Sequence, residues 1–155
     1  MNKLLEAYKQ CNNKVCTDTR KISANCLFIA LKGDNFNGNK FAKLAIESGA
    51  RIAVIDEPEY EIEGKTILVT DGLLALQDLA NVFRKEFEIP VLGITGSNGK
   101  TTAKELIHSV ISKKYKCHST PGNFNNHIGL PLTLLSMPAD TEFCILEMGD
   151  NHMGE

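Results

Sequence analysis

Lys100 and Thr101, directly behind Gly99, have the residue types and spacing best suited to chemistry in this chain. They close the run Val91-Leu92-Gly93-Ile94-Thr95-Gly96-Ser97-Asn98-Gly99-Lys100-Thr101-Thr102, in which an apolar stretch gives way to a glycine-rich turn and then to a helix start. Glycines let backbone N–H groups converge on oxygen anions, and a helix N-terminus adds positive partial charge. A lysine supplies a mobile cation, and a threonine hydroxyl can ligate Mg²⁺. Gly96, Ser97, Asn98, Gly99, Lys100, Thr101 and Thr102 are therefore expected to cradle the phosphates of a nucleoside triphosphate. The plain alternative is a glycine-rich turn joining a strand to a helix. The spacing is also displaced: the glycines fall at 93, 96 and 99, whereas G-x-x-x-x-G-K-[ST] puts its first glycine where Ile94 stands.

A carboxylate completes such a site. Glu147 ends the buried-strand pattern Glu142-Phe143-Cys144-Ile145-Leu146, and in open α/β sheets the ligand crevice lies at the carboxyl ends of the strands. Mg²⁺ is typically held by one or two carboxylates together with phosphate oxygens, so Glu147 and Thr101 form the candidate metal pair. Position alone equally allows a charged residue facing water at a strand end. Asn123, Asn125, Asn126 and His127 crowd the loop Pro121-Gly122-Asn123-Phe124-Asn125-Asn126-His127-Ile128-Gly129-Leu130-Pro131. Asparagines there serve either turn chemistry or a polar substrate channel. His127 and His152 are candidate ligands or bases, although a lone loop histidine is more often simply exposed. Lys104 and His108 share a helix face with Thr101 and Glu105, and that face reads as solvated. Near the N-terminus, Thr17-Asp18-Thr19-Arg20 and the loop 32–39 bracket one apolar run, which suits either a small polar ligand or ordinary turns.

The elements that position these residues alternate between strands and helices. Residues 2–10 are expected as a short helix, 26–31 as a buried strand, 41–48 as a helix closed by Gly49, and 51–55 and 66–69 as strands. Asp71 is a suitable N-cap for a long helix whose apolar stripe runs Leu73, Leu76, Ala80, Phe83, Phe87. Strand 90–94, helix 100–113, strand 115–118, helix 130–137 and strand 142–147 follow. This is an α/β pattern with mostly parallel sheets, and the join between two domains is placed at 71–72.

The formal charge of −2, without a basic stripe, argues against nucleic acid and anionic membrane surfaces as partners. No apolar run has the length of a membrane span, and the first residues lack the core of a secretory signal, so a cytoplasmic location is expected. The five cysteines, at 11, 16, 26, 117 and 144, have no C-x-x-C spacing and read as small hydrophobes rather than as disulfide or zinc partners.

Taken together, these segments resemble the Mur ligase family, the ATP-dependent amide-forming enzymes of peptidoglycan synthesis. The likeness rests on the loop 93–102 with its displaced glycines, on Thr17-Asp18-Thr19-Arg20 with Leu27-Phe28-Ile29-Ala30-Leu31-Lys32-Gly33, on the 122–131 loop, and on Leu146-Glu147-Met148-Gly149-Asp150-Asn151-His152-Met153-Gly154-Glu155. The last two segments point to the family's dipeptide-adding branch.

The resemblance implies a small N-terminal UDP-binding α/β domain (1–71) followed by the first part of a P-loop, mostly parallel-sheet ATP-binding domain (72–155). It implies ATP and Mg²⁺ as cofactors, with UDP-N-acetylmuramoyl-tripeptide and D-alanyl-D-alanine as substrates of a monomer. ATP would activate the tripeptide carboxylate as an acyl phosphate, which the dipeptide amine then attacks. By the same resemblance Thr17, Thr19, Asp34, Asn35 and Phe36 would line the uridine site, and Asn123 and Asn125 would face the sugar-peptide. Lys100, Glu147 and Asn126 would be catalytic, and Thr101 and Glu147 would take the metal. The pattern stops at Glu155, short of the family's modified lysine, its histidine metal ligand and its C-terminal domain, so a fragment without ligase activity is expected. The sister ligase adding the third amino acid and a non-catalytic UDP-muropeptide-binding module are the rival readings.

Overall fold

The computed structural model describes residues 3–149; Asp150 and the 151–155 segment, His152 included, lie outside the described residues. By its contacts the chain divides into two compact units, Met1–Val82 and Phe83–Glu155.

In the first unit, α1 (Lys3–Gln10) buries Leu4, Leu5, Ala7 and Tyr8. A parallel sheet then forms from β1 (Val15–Cys16), β2 (Leu27–Ile29), β5 (Ile52–Ile55) and β6 (Thr66–Leu68), in the order β1-β2-β5-β6. Cys26, Phe28, Ala30, Ala42, Ala45, Ala53 and Ile55 form its core with α2 (Ala42–Glu47). Gly49 leaves that helix at φ +110, as expected of the residue that ends it.

The loop expected at 32–39 contains a small antiparallel hairpin, β3 (Lys32–Gly33) with β4 (Phe36–Asn37), followed by a 3₁₀ turn at Gly38–Phe41. Strand β1 is a further element that the sequence pattern does not show. Two residues per strand are too few for an alternating pattern to register.

Helix α3 (Gly72–Arg84) starts where Asp71 accepts the Leu74 N–H at 2.8 Å. Leu76, Ala80 and Phe83 of its expected stripe are buried. The division between the two units falls inside this helix, later than residues 71–72.

The second unit is a three-stranded parallel sheet, β7 (Val91–Ile94), β8 (Cys117–Ser119) and β9 (Phe143–Glu147), in the order β7-β9-β8. α4 (Lys100–Ile111) connects β7 to β8, and α5 (Gly129–Leu135) precedes β9. Arg84 fixes the approach to β7 by donating to the Phe87 and Ile89 carbonyls at 2.6 and 3.1 Å. β9 is the central strand, and Cys144, Ile145 and Leu146 on it are buried. Burial pushes the Cys144 thiol up to about 11, with Arg84 opposing, which suits a packing residue. All five cysteines are free.

Candidate functional site

Three strand ends meet at one edge of the second sheet. Parallel pairing sets Ile94 of β7 opposite Glu147 of β9, and Ser119 of β8 opposite Ile145. The loop leaving β7, the carboxylate ending β9 and the turn leaving β8 are thereby neighbours.

The loop 95–99 is exposed throughout. Gly96 (φ +144) and Gly99 (φ +77) hold backbone conformations that side chains rarely adopt, and an added Cβ on either would meet nothing within 4 Å. Gly99 is the N-cap of the twelve-residue helix α4, so the first N–H groups of that helix face the open loop. Lys100 folds its ammonium back onto the Gly96 carbonyl at 2.5 Å. An open glycine loop, a helix start and a tethered cation are the parts from which an anion cradle can be built.

Glu147 is 1% exposed. Its Oε1 accepts from the Thr101 hydroxyl at 3.0 Å and from Asn125 Nδ2 at 2.9 Å. Its backbone N–H donates to the Thr120 hydroxyl at 2.9 Å, which fixes the strand end. Oε2 is buried and has no hydrogen-bond partner. A buried acceptor left unsatisfied costs about 1–3 kcal/mol, so this carboxylate is not built for stability alone.

The structure corrects the reading of Lys104 as a surface charge. Its side chain is fully buried, donates to the Thr120 and Gly122 carbonyls at 2.7 and 2.8 Å, and stands 3.6 Å from Glu147 Oε2 and 3.1 Å from Glu105. Helix spacing places it beside Thr101 but does not signal its burial. A residue three positions beyond Thr101 on a helix lies over the same sheet edge as Thr101. Leu106 and Val110, apolar by type, are 64% and 69% exposed. His108 is half-buried rather than solvated.

The asparagines divide by role. Asn125 reaches Glu147 through its side chain and accepts from the Gly149 N–H through its backbone at 2.7 Å. Asn126 Oδ1 accepts from the Ile128 and Gly129 N–H groups at 3.2 and 2.7 Å, which is helix-capping chemistry at the start of α5. Asn123 is exposed. Gly129 is obligatory, because a Cβ there would stand 2.7 Å from the Phe124 backbone. His127 is half-buried.

In the first unit, Thr17 and the 3₁₀ turn Thr19–Lys21 follow β1, and Asp34, Asn35 and Phe36 follow the neighbouring β2, so both groups lie at the carboxyl edge of that sheet. Asp18 caps the turn and pairs with Arg20 at 2.8 Å; that contact holds its carboxyl down at about 2. Asp34 and Asn35 form the exposed hairpin turn. Phe36 is 54% exposed and stacks on Phe41 with centroids 5.6 Å apart. Beneath the hairpin, Asp56 accepts from Asn39 at 2.7 Å and from the Gly72 N–H at 3.1 Å, and pairs with Lys32 at 3.1 Å.

A strand, a glycine-rich loop opening a helix, and a carboxylate on the adjacent parallel strand define a P-loop type of nucleotide-binding α/β unit. Comparison with known proteins narrows the class. Residues 13–84 match the model of the Mur ligase family, catalytic domain, and residues 94–155 that of the Mur ligase middle domain. The chain belongs to the Mur ligase family.

It is 50% identical over 143 residues to UDP-N-acetylmuramoyl-tripeptide–D-alanyl-D-alanine ligase of Bacillus subtilis (strain 168), covering 91% of this chain and 31% of that protein. Among solved structures it is similar to MurF from Acinetobacter baumannii, with TM-score 0.84, 33% identity, and 92% of this chain and 31% of that one covered. It is also similar to MurF ligase from Thermotoga maritima in complex with ADP, with TM-score 0.82, 29% identity, and 98% and 34% covered. The chain thus spans about a third of the length of the relatives it matches.

Proposed function

We propose that this chain supplies the UDP-binding unit and the phosphate-binding part of an ATP-dependent amide ligase that adds D-alanyl-D-alanine to UDP-N-acetylmuramoyl-tripeptide in the cytoplasm. The observation that carries the reading is the approach of the Thr101 hydroxyl to Glu147 Oε1 beside the open loop. Thr101 and Glu147 would hold Mg²⁺ there, a hard cation that takes oxygen ligands and would neutralise phosphate charge. The donor set also fits, since both are hard oxygens and the second carboxylate oxygen has no hydrogen bond. Among the described residues no group of three or more His, Cys, Asp or Glu side chains could hold a metal. That agrees with a cation held by one carboxylate, one hydroxyl and nucleotide oxygens. Similarity to a MurF ligase structure in complex with ADP supports nucleotide at this loop.

Bound Mg²⁺·ATP would supply the phosphoryl group that activates the tripeptide carboxylate as an acyl phosphate. The chain's part is positioning and charge neutralisation. The N–H groups of residues 96–102 would bind phosphate oxygens, and Lys100 would leave the Gly96 carbonyl to meet the transferring group. Glu147 and Thr101 would hold the cation, and Asn125 would keep Glu147 turned toward it. Thr17, Thr19, Asp34, Asn35 and Phe36 would take the uridine end, and Asn123 the sugar-peptide. Asn126 caps α5 with its side-chain oxygen, so its part in the reaction is the weakest of the set.

The test uses the full reading frame, assayed with ATP and UDP-N-acetylmuramoyl-tripeptide. Release of phosphate with D-alanyl-D-alanine is expected. Turnover only when diaminopimelate or lysine is offered with the shorter muropeptide would overturn the choice of substrate.

A further inference from the structure

A fully buried lysine in a nucleotide site demands a reason, because charged side chains are almost never fully buried unless paired. The Lys104 ammonium donates to the carbonyls of Thr120 and Gly122 and stands 3.1 Å from the exposed Glu105 carboxylate. It also stands 3.6 Å from Glu147 Oε2, a contact of charge and not a hydrogen bond. The carbonyls it grips begin the loop that carries Asn125, and Asn125 orients the other oxygen of the same carboxylate.

We propose that Lys104 is a positioning residue for the cation site, the resident counter-ion of Glu147. It joins the phosphate-binding helix α4 to the asparagine loop and compensates the buried carboxylate when no divalent cation is bound. A consequence follows from electrostatics. A fixed positive charge beside the carboxylate opposes a second cation, so the empty site holds divalent ions weakly and its occupancy depends on the phosphates that arrive with them. The inference rests on the reading of Glu147 as a metal-binding carboxylate, and its test separates the two.

Thermal unfolding is measured for the wild-type chain, Lys104→Met, Glu147→Gln, the double variant and Lys104→Arg, each with and without Mn²⁺ as the only added ligand. Lys104→Met should lower the midpoint by roughly 5–10 °C, because it strands a buried carboxylate. Adding Glu147→Gln should restore part of that loss. Additive losses in the double variant would overturn the pairing, whether or not metal binds. In the Mn²⁺ series, Lys104→Met should bind on the order of tenfold more tightly than wild type, whereas Lys104→Arg, which keeps the charge, should not. Equal Mn²⁺ stabilisation in wild type and Lys104→Met would overturn the counter-ion role. No Mn²⁺ response in any variant would overturn the metal reading of Glu147 and leave the double-variant result to decide on Lys104. If Lys104→Met does not fold, failure of the double variant to recover folding counts against the proposal.

Discussion

Asp56 and Glu147 are the same device put to two uses. Each follows or ends a parallel strand, each is nearly inaccessible (side-chain exposure 2% and 1%), and each has a lysine nearby. Asp56 is saturated. Asn39 and Lys32 meet Oδ1, and the Gly72 N–H meets Oδ2. Burial pushes its carboxyl up, but these partners together outweigh burial and hold it below the ordinary value. Glu147 is half-satisfied, with two donors on Oε1 and none on Oε2. A buried carboxylate with both oxygens engaged acts as a strut between segments. One with an oxygen that makes no hydrogen bond and faces only the Lys104 charge, beside an open glycine loop, suits the proposed cation site.

The contrast can be broken most forcefully at Asp56. Asp56→Ala leaves the Asn39 amide and the Gly72 N–H without their acceptor, and should destabilise the first unit by about 3 kcal/mol in urea unfolding. Divalent cations should not offset that loss. The same carboxyl sets an acid limit. Its folded-state value is lowered, so its stabilisation is complete above the ordinary carboxylate range near 3.9 and fades as pH falls through the folded value. Wild type should lose stability between about pH 5 and pH 2 more steeply than Asp56→Asn, and parallel curves would remove Asp56 from the strut role. At the other carboxylate, Glu147→Gln keeps the acceptor for Thr101 and Asn125. Because it leaves the buried Lys104 ammonium without its counter-ion, it should still cost about 2–3 kcal/mol of stability while weakening cation-dependent nucleotide binding on the order of tenfold or more, read by calorimetry. The smallest effect belongs to the loop. Gly99→Ala meets no neighbour but must hold φ +77, for about 1 kcal/mol of strain.

The strand, glycine loop and helix start at 91–102 were legible because the glycines, lysine and threonine that mark them are local in sequence. Glu147 was legible as a charge ending an apolar strand, and the long helix announced itself through Asp71 and its apolar stripe. Lys104 was not, because its burial is set by the turn after β8, sixteen residues or more away in sequence. Residue type along α4 points to the wrong face, since Leu106 and Val110 are exposed while the lysine is buried. Asn126 is ambiguous for a similar reason. Its residue type suits catalysis and capping alike, and only the N–H groups of Ile128 and Gly129 reveal which of these its oxygen serves.

The most direct test of the central claim is calorimetric titration of this chain with ATP, with Mg²⁺ and then with the divalent cation chelated. Saturable binding that weakens at least about tenfold on chelation, and equally in Glu147→Gln, is the predicted result. Binding that ignores both the cation and Glu147, or no binding at all, would contradict the account.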